Sequence, residues 1–427
     1  MQVVYRRCCG LDVHKSSITA CVLVLGDKGQ RRVRIKEFGT YLKELERLRL
    51  WLFACKVEAV AMESTGVYWK PVWNVLEGHF PLLLANPYHM KNIPGRKTDQ
   101  KDSEWIADLM AHGLLRPSFV PPRDIQQLRD LTRYRVKLVG EMNRAVNTNH
   151  KVLEDANIKL ASVVTDIMGA SGRAIIRALI AGEERVDWLA DKAQTRLRGK
   201  RDQLRLVLRG HVTDHHRYLL TELLDDVERL ENKIAHLESK IVEQMKPYEA
   251  VLFRLTTVPG IDLITAWTLV AELGVEMTVF PDAAHAASWT GLAPGNFESA
   301  GKRKSNRTRK GNRWLRRALC QSAWAVSHTK DCYLSAHFYR RAARSGVKKA
   351  ILATAHQLLI VVFHIIRDGS VYREQGGDFF DRLHPKRTTR RLVRRLERLG
   401  FDVALTPLAT LDCGPYPIDC KHRLLPG

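Results

Sequence analysis

Three strand-like runs near the N-terminus, joined by turns only a few residues long, constrain this chain more than any other feature. Val3–Val13, Ile18–Leu25 and Arg31–Phe38 carry the apolar and β-branched residues of strands, with polar turns at Lys15-Ser16 and Gly26-Asp27-Lys28-Gly29. Beyond them, helix and strand alternate. Tyr41–Phe53 has helical periodicity through Leu42, Leu45, Leu48 and Leu52, Val57–Met62 is a short apolar strand, Tyr68–Leu76 a helix and Pro81–Ala85 a further strand. A meander followed by alternation predicts a mixed α/β sheet.

A chain of 427 residues, 45% of them apolar, holds two or three domains with real cores. Its formal charge of +23 predicts a polyanionic partner, nucleic acid first and an anionic membrane second. No run of 18 apolar residues predicts a bilayer span, and MQVVYRRCCGLDVHK lacks the apolar core of a leader. Eight scattered cysteines fit buried thiols in a reducing cytoplasm. Cys413, Cys420 and His422 have poor spacing for a metal site.

Acidic residues fall at telling places on the predicted sheet. Asp12 ends the first strand, Glu63 follows the strand AVAM, and Asp99 and Asp102 sit three apart at a predicted helix start, on one face. Each alone has a structural reading, as a turn aspartate, a solvated strand end, or a helix cap. Together they form the oxygen-rich set that Mg²⁺ prefers, and packing them without a cation would cost repulsion.

A second site lies far along the chain, in GNFESAGKRKSNRTRKGNRWLRRAL. Ser299 precedes a run in which nine of sixteen residues are basic: Lys302, Arg303, Lys304, Arg307, Arg309, Lys310, Arg313, Arg316 and Arg317. On local sequence this is a phosphate-gripping loop in which Ser299 or Ser305 donates a hydrogen bond. Beside a set of metal-binding acids, Ser299 on a flexible Gly/Ala turn becomes a candidate nucleophile, with the cations neutralising phosphate charge.

Between the two sites the pattern is helical. Asp124 to about Leu160 reads as one basic amphipathic helix, and Ala161–Arg185 as a further helix. Leu220, Leu223, Val227, Leu230, Ile234, Leu237 and Ile241 repeat like a coiled-coil seam within Tyr218–Met245, with an intramolecular hairpin as the alternative. Leu255–Gly274 reads as a helix-hairpin-helix or an ordinary αα corner, and Ala318–His328 and Ala350–Ile366 as packed helices. Lys386–Arg398, with seven basic residues in thirteen, reads as a nucleic-acid-binding or a solvated helix.

The blocks GLDVHK, MESTGVYW and NPYHMKNIPGRKTDQKDSEWIADL resemble the DEDD transposase domain of the insertion-sequence 110 family. The run VPGI, GLAP, ESAGK and RKGNRWLRRAL is similar to the second domain of the same transposases. The resemblance implies an α/β plus α protein. A RNase H/RuvC-like domain would occupy 1–120, a helical region with a coiled coil (about 218–245) 121–250, a mainly helical serine transposase domain 251–368, and a basic extension 369–427. It further implies Mg²⁺ (with Mn²⁺ as substitute) on Asp12, Glu63, Asp99 and Asp102, and catalysis by Ser299 with Ser305 in reserve. The Ser-Ala-Gly form resembles the insertion-sequence 1111 subgroup. Partners implied are donor and target DNA, a bridge RNA and further copies of the chain, a dimer or a synaptic tetramer, in the bacterial cytoplasm at the nucleoid. The alternatives are a RuvC-like junction endonuclease with no covalent intermediate, and a non-catalytic nucleic-acid-binding protein.

Overall fold

The structure is a computed structural model describing residues 3–26, 30–63, 66–87, 90, 93, 102–295, 297–299, 302–305, 307–308 and 310–406, with backbone alone for 297–299 and 302–305. The chain divides into two compact units, Met1–Gln126 and Gln127–Gly427.

The first unit is built on a five-stranded sheet of β1 (Arg7–Val13), β2 (Ser17–Leu25), β3 (Arg31–Gly39), β4 (Ala59–Glu63) and β5 (Leu82–Ala85), in the order β3-β2-β1-β4-β5. The predicted meander is there: β1, β2 and β3 pair antiparallel, then β1, β4 and β5 pair parallel. β1 is therefore central. Alternate residues of its strand face opposite cores. Cys9, Leu11 and Val13 join the cluster under the helices Leu42–Ala54 and Trp69–Leu76, whereas Cys8 packs with Cys21, Ala59 and Ala61 under the helix Asp102–Ala111.

Three thiols in this unit, Cys8, Cys9 and Cys21, are inert by burial. Burial pushes the Cys8 and Cys21 thiols up to about 12, and Cys9 well above its ordinary value. At pH 8 all three stay protonated, so they lack the nucleophilic thiolate. In a short iodoacetamide pulse on the native protein at pH 8, followed by mass spectrometry, Cys320 should be labelled before Cys8, Cys9 or Cys21. Equal labelling would contradict the burial.

Among the described residues, the regular structure of the second unit is helical except for one hairpin. The long basic helix spans Arg123–Asp155, and the predicted helix after it is broken into Leu160–Ser162 and Ala170–Ile180. The heptad stripe lies on Asp214–Met245, whose Thr213 and His216 form a capping box. Most of its residues are covered by the chain itself. Leu220 and Val227 enter a core with Ile158, Ile176 and Leu204, and Leu230 and Ile234 pack on Leu138 of the long helix. These contacts are those of the intramolecular alternative, while Leu223 and Leu237 of the same stripe are only half-buried.

The C-terminal helices Ala283–Thr290, Arg313–Val326 and Tyr333–Ser345 pack on Val347–Asp368. That last helix is long and apolar enough to cross a membrane by length and composition. Here Ala355, Leu358, Leu359, Val362 and Phe363 are buried against neighbouring helices, which is the position of a core helix. By contrast the helix Pro385–Glu397 buries no residue, and Leu392 and Leu396 are exposed beside its arginines.

Candidate active site

In the first unit the acids are positioned by the pairing of β1 with β4. These strands run parallel with Leu11 opposite Met62, so Asp12 and Glu63 are the next residues at the same ends of neighbouring strands. Strand alternation puts Asp12 on the face of Cys8 and Gly10, and Glu63 on the face of Ala59 and Ala61. That is the face covered by the helix Asp102–Ala111.

The direction of that helix decides where Asp102 falls. Val4 N–H donates to the Ala111 carbonyl at 2.8 Å and the Cys8 thiol to the Ala107 carbonyl at 3.3 Å. Further along β1, a Cβ at Gly10 would lie 2.2 Å from the Ser103 carbonyl oxygen. The helix therefore runs antiparallel to β1 and starts, with Asp102, towards the Asp12 end of the strand. Glycine at position 10 is what permits so close an approach. Asp12 is about one quarter exposed and its Oδ2 lies 3.2 Å from His14 Nε2. Three of the four predicted acids thus share one face and one end of the sheet. Asp99 lies outside the described residues. Among the described residues no three acids, histidines or cysteines lie close enough together to hold a cation.

In the second unit Ser299 lies on a β-hairpin where the sequence predicts a flexible turn. β6 (Phe297–Ser299) pairs antiparallel with β7 (Lys302–Ser305), with Ser299 opposite Lys302, Glu298 opposite Arg303 and Phe297 opposite Ser305. The cross-strand register gives a backbone reason for serine and lysine to share one end of a ribbon. It separates Ser305, the reserve candidate, to the other end. The ribbon is closed at its base: a Cβ on Gly295 would lie 2.1 Å from the Arg307 carbonyl oxygen, and one on Gly311 2.4 Å from Gly291 N. Of the predicted phosphate contacts, Lys302, Arg303 and Lys304 lie on β7, Arg307 and Lys310 are exposed beyond it, and Arg309 lies outside the described residues. Arg313 and Arg317 are exposed and Arg316 half-buried on the helix Arg313–Val326.

Just after the hairpin, the chain joins a buried charge cluster that the sequence reading missed. Glu272 is fully buried near the end of the helix Leu263–Leu273. Its Oε1 and Oε2 accept from Arg133 Nε and Nη2 at 2.7 and 2.8 Å, the bidentate geometry in which arginine binds carboxylates best. Asn312 Nδ2 donates to Oε2 at 2.6 Å. Arg129 donates to the carbonyls of Ala271 and Glu272 at 3.1 and 2.8 Å, satisfying groups that a helix end leaves open. Burial pulls the Arg129 guanidinium down to about 10, still charged at neutral pH, with Glu272 opposing the shift.

Asn312 links this cluster to the helix that follows the ribbon. Its Oδ1 accepts from the Trp314 and Leu315 N–H groups, capping the helix that follows the ribbon, while its own N–H donates to the Trp289 carbonyl. The signal in sequence was a single charged residue in the otherwise uncharged stretch LITAWTLVAEL. The turn before that stretch joins the helices Glu249–Thr256 and Leu263–Leu273, and the Asp262 carboxylate accepts the Thr265 N–H at its helix start.

Comparison with known proteins follows these two regions. Residues 9–158 match the DEDD transposase family model of insertion sequence 110, and residues 253–340 match the transposase model of the IS116/IS110/IS902 family. The 43.6 kDa protein of insertion element IS110 from Streptomyces coelicolor is 27% identical over 314 residues, covering 66% of this chain and 74% of that protein. The transposase for insertion sequence element IS1328 from Yersinia enterocolitica is 29% identical over 290 residues, covering 66% of this chain and 75% of the relative. These similarities set aside the non-catalytic reading. With both the acid-bearing sheet and the serine hairpin inside the matched regions, the chain belongs to the IS116/IS110/IS902 family of DNA transposases.

Proposed function

We propose that this transposase cuts and rejoins DNA through a phosphoserine intermediate formed by Ser299. The supporting observation is the hairpin register that sets Ser299 against Lys302, at the head of a basic run that continues to Arg317. Ser299 Oγ forms a bond to phosphorus, the bond from phosphorus to a sugar oxygen breaks, and that oxygen takes up a proton as the serine hydroxyl gives one away. Lysine and arginine side chains around the scissile phosphate stabilise the charge that develops on it. Because the energy of the phosphodiester is kept in the protein link, the sugar hydroxyl of another strand reverses the step and completes exchange.

The first unit is read as a RuvC-like nuclease domain. Its donor set, carboxylate oxygens from two strand ends and a helix start on one face, suits a hard divalent cation in kind. Asp12, Glu63, Asp99 and Asp102 would hold Mg²⁺ or Mn²⁺, which when bound polarises phosphate oxygens and assists the leaving oxygen. The resemblance to the insertion-sequence 110 family and its 1111-like subgroup brings the remaining expectations. The acids of one subunit serve the serine of another in a tetramer. A bridge RNA pairs with donor and target DNA, and the particle works in the cytoplasm at the nucleoid. A charge of +23 suits a protein that grips RNA and DNA together.

The test is to purify the protein with its co-expressed RNA, add donor and target DNA with Mg²⁺, and map protein–DNA adducts by mass spectrometry. An adduct on Ser299, lost in Ser299→Ala, is expected. Recombination without any adduct, or an adduct on Ser305, overturns the assignment. Cut strands free of protein on denaturing gels would point to the junction endonuclease.

A further inference from the structure

We infer that the cleft around Trp314 receives a single unpaired nucleotide, its base on the indole and its phosphate on the surrounding cations. The inference rests on the chain being a DNA transposase that handles strands, and not on the serine chemistry. Two cavities meet at Val136, Trp314 and Arg317, between the long basic helix and the helix Arg313–Val326. The inner one, of about 180 Å³, is walled by Arg133, Thr268 and Gln321. The outer one, of about 440 Å³, adds Lys137, Arg144 and Arg313.

Size and charge select the occupant. An inner space of about 180 Å³ is smaller than the roughly 300–1,000 Å³ of sites for drug-sized ligands, and a duplex does not fit it. It suits one flat ring. The indole is half-buried, and the guanidiniums of Arg313 and Arg133 lie over it at 4.7 and 5.8 Å from a ring centroid, so an entering base takes the ring face that the exposed Arg313 side chain now covers and leaves that cation to its phosphate. Such a ring is a stacking platform for a base, which it accepts with little regard to sequence.

The acids nearby do not neutralise the cleft. Glu272 is taken by Arg133 and Asn312, and Glu238 pairs with Arg135 at 2.6 Å. Glu141 lies 3.9 Å from Arg144, half exposed. Lys137, Arg313 and Arg317 have no carboxylate partner among the described residues, which leaves three cations for a sugar–phosphate backbone. The main chain at Trp314 is held, since Asn312 Oδ1 accepts its backbone N–H and Asn312 is itself bonded to Glu272. The captured nucleotide would therefore be held on the element that directly follows the serine hairpin.

The experiment measures equilibrium binding of the full-length protein, without divalent cation, to a fluorescent 12-nucleotide single strand of RNA or DNA and to a blunt duplex of the same sequence. Trp314→Ala should weaken single-strand binding roughly 5- to 150-fold, the effect of losing one base–aromatic stack, and leave the duplex within twofold. Trp314→Phe, which keeps a stacking face, should retain most of the affinity. Stronger dependence for RNA or for DNA identifies which strand supplies the nucleotide. Unchanged single-strand affinity in a Trp314→Ala protein that melts like the parent, or equal loss for duplex, overturns the inference. No covalent step enters the readout, so its result is independent of whether Ser299 forms an adduct.

Discussion

Replacing Glu272 with alanine should destabilise the C-terminal unit by about 3–5 kcal/mol, the usual cost of removing one partner from a buried ion pair. The side chain has no exposure to solvent, while Arg133 is about one third exposed and Arg129 less. Deleting the carboxylate leaves the Arg133 fork and the Asn312 amide without their acceptor and the Arg129 charge without its counter-ion, while the bonds of Arg129 to the main-chain carbonyls remain. Natural domains have about 5–15 kcal/mol in hand, so a large part of the unit's margin is at stake. Urea unfolding followed by tryptophan fluorescence measures it. Glu272→Gln separates the two contributions, since an amide keeps the shape and part of the hydrogen bonding but drops the charge. We expect its loss to be clearly smaller than that of alanine. A loss below 1 kcal/mol for Glu272→Ala would mean that the cluster does not hold this unit together.

Gly10→Val is the second large effect, and it acts through backbone. The added Cβ would stand 2.2 Å from the Ser103 oxygen and 2.5 Å from the Ala107 nitrogen, both main-chain atoms of the covering helix. Neither can rotate away, so the helix Asp102–Ala111 must move outward. Overpacking of this kind costs about 1–3 kcal/mol even where side chains can yield, and here none is available to yield first. The helix would lose part of the burial of Ile106, Ala107, Leu109 and Met110, and Asp102 would leave its place beside the end of β1. The prediction is a thermal midpoint several degrees lower, together with loss of DNA cleavage. Gly10→Ala should show the same direction with a smaller shift. A Gly10→Val protein that melts and cleaves like the parent would show that the helix does not rest on this strand.

Both predictions turn on contacts between residues far apart in sequence, and that marks how far the sequence could be read. The sheet was legible. Strand alternation and helical periodicity are short-range patterns, set by the burial of residues two, three or four apart, and they survive without knowledge of the partner. Asp12 and Glu63 were legible for the same reason, because a carboxylate that closes an apolar run marks a strand end. Helix Ala161–Arg185 was not: Gly169 stands just before the helix Ala170–Ile180, and the residues ahead of it form only a short 3₁₀ turn at Leu160–Ser162.

The sequence by itself thus determined the order of strands and helices in the first unit, the positive charge, the placement of acids at strand ends and the family. Tertiary structure alone decided that most of the heptad stripe of Asp214–Met245 packs within the chain, that Ser299 faces Lys302 across a ribbon, and that Glu272 ties Arg133 to Asn312. The physical reason is range. Arg133 and Glu272 are separated by 139 positions, and no local propensity records which of many arginines a lone buried carboxylate will meet.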